Sequence, residues 1–243
     1  MTTLLVIPAY NEARRLDLQA YGRALATQAG LRLLFVDDGS TDATVGMLRA
    51  FVASNPDRIG IRQEPVNLGK AEAVRRGMLQ ALDSDAHIVG FWDADLATPL
   101  GELPDLIAPL ERDPAIQVVL GSRVRLLGRS IERRAQRHYL GRIFATAVSL
   151  ALRAPIYDSQ CGAKLFRPGA PLRDALRAPF RSRWIFDVEL LARLDRRIPG
   201  GLRRGACEVP LREWTDVAGS QLRWHAFLRA PFDLARIYWR EVH

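Results

Sequence analysis

Residues 87–95 read HIVGFWDAD: an apolar run, Ile88 to Trp92, leads directly into two carboxylates, Asp93 and Asp95, set one residue apart. A run this short and this apolar reads as a strand rising out of a core. Two like charges at its end need water or a ligand, because an unpaired charge is costly to bury. If the backbone bends there, both carboxylates can reach one divalent cation. Mg²⁺ typically takes one or two carboxylates together with phosphate oxygens of a substrate, and a nucleoside diphosphate is such a substrate. In isolation the pattern is weak and a solvated strand end is the better reading of it; the apolar strand before it and the other acidic loops reverse that choice.

Upstream, strand-like and helix-like patterns alternate. TLLVIPAY (3–10), LRLLFVDDGS (31–40) and RIGIRQEP (58–65) read as strands, and residues 11–30, 41–54 and 69–84 as the helices between them. This order implies an α/β fold with a mostly parallel central sheet flanked by helices. Ligands of such sheets bind beyond the carboxyl ends of the strands. Asn11 and Glu12, Asp37 and Asp38, and Asp93 and Asp95 all fall there. Downstream, IQVVLGSR (116–123) reads as a fifth strand, residues 131–152 as one long helix, 183–196 as another, and ACEVPLREW (206–214) as a late strand. With no repeat or linker, the expectation is one domain over 1–243. Residues 1–100 would bind nucleotide, 101–222 would bind acceptor, and 223–243 would form a C-terminal amphipathic helix.

At 243 residues and 48% hydrophobic composition the chain can bury a sizeable core. It has no apolar run of about 18 residues and no signal-peptide pattern, so a cytoplasmic location is expected. Cys161 and Cys207 lack disulfide-framework or metal-ligand spacing and read as reduced thiols. The net charge of +8 is carried almost wholly by arginine, since Lys70 and Lys164 are the only lysines. Basicity points to an anionic partner: nucleic acid, a phosphorylated substrate or an anionic membrane surface. No nucleic-acid motif accompanies it, and carboxylates line the inferred cleft, so no nucleic-acid partner is expected.

VDDGSTD (36–42) sets two acids before a turn-forming Gly39 and a helix-capping cluster. Capping accounts for Ser40 or Asp42. The carboxylates of Asp37 and Asp38 suit hydrogen bonds from a base or ribose. NLGKAEA (67–73) puts Lys70 at a helix start, a favourable place for an anion and equally a plain helix entry. Asp187, flanked by apolar residues in WIFDVELL, needs a partner or a ligand.

Taken together, VIPAYNE, VDDGSTD, NLGKAEAVRRG and DAD resemble the N-terminal half of family-2 inverting glycosyltransferases, with their GT-A fold. DSQCGAKLF, RWIFDVELL and EWTDVAGSQL resemble the branch containing dolichyl- and polyprenyl-phosphate β-glucosyltransferases. The resemblance implies that Pro8, Ala9, Tyr10, Glu12, Asp38, Lys70 and Asp93 bind the nucleotide, and that Asp93 and Asp95 hold Mg²⁺ or Mn²⁺. Ala97 stands where mannosyl-phosphate relatives carry a metal-binding glutamine, which favours the glucosyl branch; Gln221 stands where the family carries a lysine.

The implied reaction moves a hexose, glucose from UDP-glucose ahead of a GDP-hexose, onto a polyprenyl phosphate. Residues 121–142 carry seven arginines against one acid, Glu132, and in the resembling enzymes this segment approaches the acceptor phosphate and the bilayer. Arg123, Arg133 and Arg134 are the expected phosphate ligands, since guanidinium donates two parallel hydrogen bonds. The protein would then sit peripherally at the cytoplasmic face of a membrane, with Ile143, Phe144, Val148, Trp224, Phe227, Phe232 and Trp239 as candidate apolar contacts. A hydroxyl acceptor is the alternative. It would require a general base, for which Asp187 and then Asp158 are the candidates.

Overall fold

The computed structural model describes residues 1–132, 144–217 and 232–242. A seven-stranded sheet organises them. Its strands are β1 (Thr3–Ala9), β2 (Leu31–Asp37), β3 (Ile59–Gln63), β4 (Ile88–Trp92), β5 (Val118–Ser122), β7 (Ala163–Phe166) and β8 (Ala206–Pro210), in the order β3-β2-β1-β4-β7-β5-β8. β7 alone runs antiparallel to its neighbours β4 and β5. The beginning of β7 therefore lies at the edge where the other strands end. A short parallel pair, β6 (Ser130–Glu132) with β9 (Glu213–Thr215), stands apart.

The central strands are apolar on both faces, as a sheet covered on both sides requires. Leu4, Val6, Val89, Phe91, Val118 and Leu120 join one core cluster, and their alternating neighbours Leu5, Ile7, Ile88, Trp92 and Val119 join the other. Helices α1 (Leu18–Thr27), α2 (Thr44–Ser54) and α4 (Leu103–Arg112) feed the second cluster, through residues such as Tyr21, Leu48 and Leu106. The first is covered by α3 (Lys70–Ala81), a helix over 144–151 (α5), α6 (Ala170–Leu176), α7 (Phe186–Asp195) and α8 (Gly201–Gly205).

Three expectations are corrected. The first helix spans Leu18–Thr27 rather than 11–30, because Asp17 caps it by accepting from the Ala20 N–H at 2.9 Å and residues 11–17 form the loop before it. Residues 131–132 belong to β6, not to a helix, since Ile131 and Glu132 pair with Trp214 and Thr215. The late strand is two strands: Pro210 closes β8, and buried Glu102 accepts from the Arg212 and Glu213 N–H groups, turning the chain toward β6. At the C-terminus, residues 232–237 are helical and Tyr238–Val242 continue as a π-helical turn, while 223–231 and 243 lie outside the described residues. The seven-stranded sheet draws strands from both residues 1–100 and residues 101–222.

Candidate active site

The loops after β1 and β2 are stitched together. The Asn11 N–H donates to Ser40 Oγ at 2.9 Å, the Thr41 N–H donates to Asn11 Oδ1 at 2.8 Å, and the Glu12 N–H donates to Thr44 Oγ1 at 2.8 Å. Asn11 takes φ +53°, a left-handed conformation that asparagine tolerates better than most residues. Pro8 and Ala9 lie buried at the end of β1, and Tyr10 is exposed above them. Glu12 is held bidentately by Arg15, at 2.9 and 2.6 Å. Burial pushes the Glu12 carboxyl upward, Arg15 offsets part of that, and Asp95 and Asp93 add to it. These three carboxylates therefore share one field.

Asp38 bridges the Leu68 and Gly69 N–H groups at 2.8 and 2.7 Å. It thus braces the loop that delivers Lys70. Its pKa is raised by burial, against the pull of those two amides. Beside it, Asp37 is fully buried; Oδ2 accepts from the Ser40 N–H at 3.2 Å and Oδ1 has no hydrogen-bond partner among the described residues.

The loop after β4 is pinned from several sides. The Trp92 indole N–H donates to the Thr98 carbonyl at 2.7 Å, and the Thr215 N–H donates to the Ala97 carbonyl at 3.0 Å. Leu96 takes φ +51°, an uncommon conformation for a bulky residue and one that surrounding structure must impose. Asp95 Oδ1 accepts from the Ala97 N–H at 3.1 Å. Its pKa is raised by burial and then by Asp93. Lys70 Nζ lies 2.5 Å from Asp93 Oδ1. Desolvation at the Lys70 ammonium works against its charge, and Asp93, Asp187 and Asp95 more than offset that.

Gly162, immediately before β7, makes this geometry possible. Its carbonyl accepts the Asp93 N–H at 3.0 Å, and a Cβ at that position would fall 2.2 Å from the Asp93 carboxylate.

Among the described residues no group of three or more His, Cys, Asp or Glu side chains is placed to hold a metal by itself. Asp93 and Asp95 fit a hard cation that completes its shell with phosphate oxygens, as Mg²⁺ and Mn²⁺ do. Burial and then the charge of Asp93 raise Asp95, and a cation between the two carboxylates would relieve the repulsion between them.

The two acids of the second half have cationic partners. Asp187 Oδ1 accepts from Lys164 Nζ at 2.6 Å, and Lys164 has no exposed surface. Asp158 is clamped by Arg123: Nε to Oδ2 at 2.6 Å, Nη2 to Oδ1 at 2.7 Å, with the Arg123 N–H adding a bond at 3.0 Å. Glu208 accepts the Tyr157 and Asp158 N–H groups, each at 2.7 Å, and the Arg123 guanidinium lies over the Trp214 ring, 5.4 Å from its centroid. Arg123 is thus joined to an acid by its planar fork. Arg133 and Arg134 lie outside the described residues.

Sequence reasoning missed Gly162, Lys164, Arg15 and Glu208. One signal was available for Lys164: in a chain that otherwise uses arginine, both lysines touch an acid of this cleft. Trp184 is half-buried against Phe144, with ring centroids 5.8 Å apart, and Phe186 is core, between Phe91 and Phe180. Val148, an expected membrane contact, is buried in the core as well.

Residues 4–170 match the family described as Glycosyl transferase family 2. A dolichyl-phosphate beta-glucosyltransferase of Trichomonas vaginalis is 31% identical, over 97% of this chain and 70% of its own. One of Saccharomyces cerevisiae is 32% identical, over 90% of this chain and 68% of its own. Among solved structures, glucosyl-3-phosphoglycerate synthase from Mycobacterium tuberculosis in complex with UDP superposes with a TM-score of 0.67 at 20% identity, covering 98% of this chain and 80% of that one. The fold is therefore GT-A. With the matched family running from β1 through β7 and over the loops that carry Glu12, Asp38, Asp93 and Asp95, the chain belongs to glycosyl transferase family 2.

Proposed function

We propose that this protein is an inverting glycosyltransferase that moves glucose from UDP-glucose onto a polyprenyl or dolichyl phosphate. The observation that carries the donor half is the juxtaposition at the carboxyl edge of the sheet: Asp93 fixed by Lys70 and Gly162, with Asp95 beside it. The acceptor half is supported by relatives named for dolichyl phosphate, at about 30% identity over most of the chain, and by the basic composition.

In this reading Asp93 and Asp95 hold Mg²⁺ or Mn²⁺. A bound cation supplies charge stabilisation for the departing diphosphate. Lys70, at the N-terminus of α3, adds a second positive centre to the same group. The acceptor phosphate oxygen attacks the anomeric carbon from the face opposite the diphosphate, which inverts the configuration. A phosphate monoester has a second pKa of roughly 6 and is largely dianionic near neutrality, so the chain need not supply a general base. Asp158, clamped on both oxygens by Arg123, serves as a strut. Arg123 retains N–H groups beyond those that Asp158 takes and sits where β5 ends, within reach of an acceptor anion.

The membrane surface enters as the place where that acceptor resides. Among the described residues no helix is long and apolar enough to cross a membrane. The turn at Leu126 and Leu127 is exposed, with arginines at 125 and 129 on either side.

The test is a screen of UDP- and GDP-sugars against the purified protein with Mn²⁺ or Mg²⁺, with and without a short-chain polyprenyl phosphate, measuring released nucleoside diphosphate. Release from UDP-glucose that depends on the lipid phosphate is the expected result. Equal release with a simple sugar alcohol in its place would shift the reading to a hydroxyl acceptor.

A further inference from the structure

Among the described residues Lys164 is the largest charged side chain that is fully buried, and it takes no direct part in the reaction above. It lies mid-strand on β7, fully buried, opposite Phe91 in the register that places Ala163 opposite Trp92 and Gly162 against Asp93. Its ammonium donates to Asp187 Oδ1 at 2.6 Å and to the Cys161 carbonyl at 2.5 Å, and it sits 5.1 Å from the centre of the Phe91 ring. An ammonium in such a place is costly to desolvate, and a buried ion pair is a weak stabiliser compared with apolar residues of the same volume. Stability alone does not explain it.

Its partner is asymmetric. Asp187 sits in the first turn of α7, a helix N-terminus that favours negative charge. Among the described residues Lys164 is the donor that reaches its carboxylate, at Oδ1. Among the described residues no donor reaches the second oxygen, and the Asp187 side chain keeps 10% of its surface exposed, whereas Asp37 has none. Lys70 lies close enough to both Asp93 and Asp187 to feel each charge. The order Lys164, Asp187, Lys70, Asp93 thus alternates in sign from the core to the diphosphate site.

We propose that Lys164 is a positioning residue that holds the Asp187 carboxylate with one oxygen turned to the cleft, where it accepts a hydrogen bond from a hydroxyl of the donor's hexose. Asp187 thereby reads the sugar, while Asp93, Asp95 and Lys70 read the diphosphate that all such donors share. The inference rests on the nucleotide-sugar reading above and adds which groups recognise its sugar half. A neutral hexose hydroxyl suits this partner, since hydrogen bonds to a charged acceptor are among the stronger ones.

The test compares UDP with UDP-glucose by calorimetric titration at saturating Mn²⁺, on the parent, Lys164→Met, Asp187→Asn and the double variant. Either single change is expected to weaken UDP-glucose by ~10-fold or more while moving UDP by less than about twofold. The double variant is expected to be no worse than the singles, because the two residues act as one unit. It also removes the unpaired buried charge that Lys164→Met leaves, and so keeps the test open if that single variant folds poorly. A merely structural role would weaken UDP and UDP-glucose together. Equal losses for the two ligands, or no loss for either, would overturn the assignment. Failure of the parent to bind UDP at all would overturn the donor reading, and this inference with it.

Discussion

Asp93 keeps its place because position 162 has no side chain: a Cβ there would lie 2.2 Å from its carboxylate. Gly162→Ala is therefore expected to displace Asp93 from Lys70 and lower turnover by about 100-fold, the usual cost of moving a reacting group by an ångström. Released UDP measures the rate, and an unchanged circular dichroism spectrum checks the fold. Asp95 makes a complementary case. Its folded-state pKa is raised, so its ionisation costs the metal-free fold stability above that pKa, and the cost fades as pH falls through it. Asp95→Asn should accordingly raise the thermal midpoint of the metal-free protein at neutral pH while abolishing turnover and Mn²⁺-dependent UDP binding. Scanning fluorimetry across a pH series measures the first effect, and the gain should vanish at acid pH. Both acids were legible in the sequence, because charges closing an apolar run stand out locally. Gly162 was not, since its reason lies on a strand that only the sheet brings beside β4.

At the scale of elements, α3 carries Lys70 and rests on β1 and β2 through Gly77. A Cβ at 77 would meet Val6 Cγ1 at 2.4 Å and Val36 Cγ2 at 2.7 Å, so the helix can approach this closely only with glycine there. Gly77→Ala would improve helix propensity by ~1 kcal/mol but overpack the contact by roughly 1–3 kcal/mol. A net loss of about 1 kcal/mol in urea unfolding is expected, together with weaker UDP binding, as the helix is pushed off the sheet and takes Lys70 with it. Equal or greater stability would show that α3 does not need its close seat. The strands β1 to β5 and the helices α2 and α3 were readable from apolar runs and period alone. The pair β6 and β9 was not: each has three residues, and their pairing joins segments some eighty positions apart, which leaves no local pattern. The start of α1 was misplaced for a related reason, since the loop at 11–17 has helix-compatible composition and is held out of the helix by its bonds to the β2–α2 loop.

For the whole molecule, the net charge of +8 and the exposed turn at Leu127, whose relative exposure is 104%, give the membrane-surface reading its physical form. Each well-placed basic residue contributes up to ~1 kcal/mol near an anionic bilayer, and about 1 M salt shortens the screening length to roughly 3 Å. Sedimentation with vesicles is expected to show more binding on anionic than neutral lipid, less at high salt, and less again for Leu126→Ser with Leu127→Ser. Indifference to lipid charge, salt and both substitutions would favour an acceptor that is free in solution. Of the expected apolar contacts, Phe232 and Trp239 are exposed, whereas Ile143, Trp224 and Phe227 lie outside the described residues. Apolar period and motif order are properties of neighbouring residues, so the α/β class, the acid-bearing strand ends and the family could be read along the chain. The tertiary structure alone decided which cation meets which acid: Lys70 with Asp93, Lys164 with Asp187 and Arg123 with Asp158. Those pairings span 23 to 35 positions and depend on β7 entering the sheet antiparallel, a choice set by packing across the whole sheet rather than by any one segment.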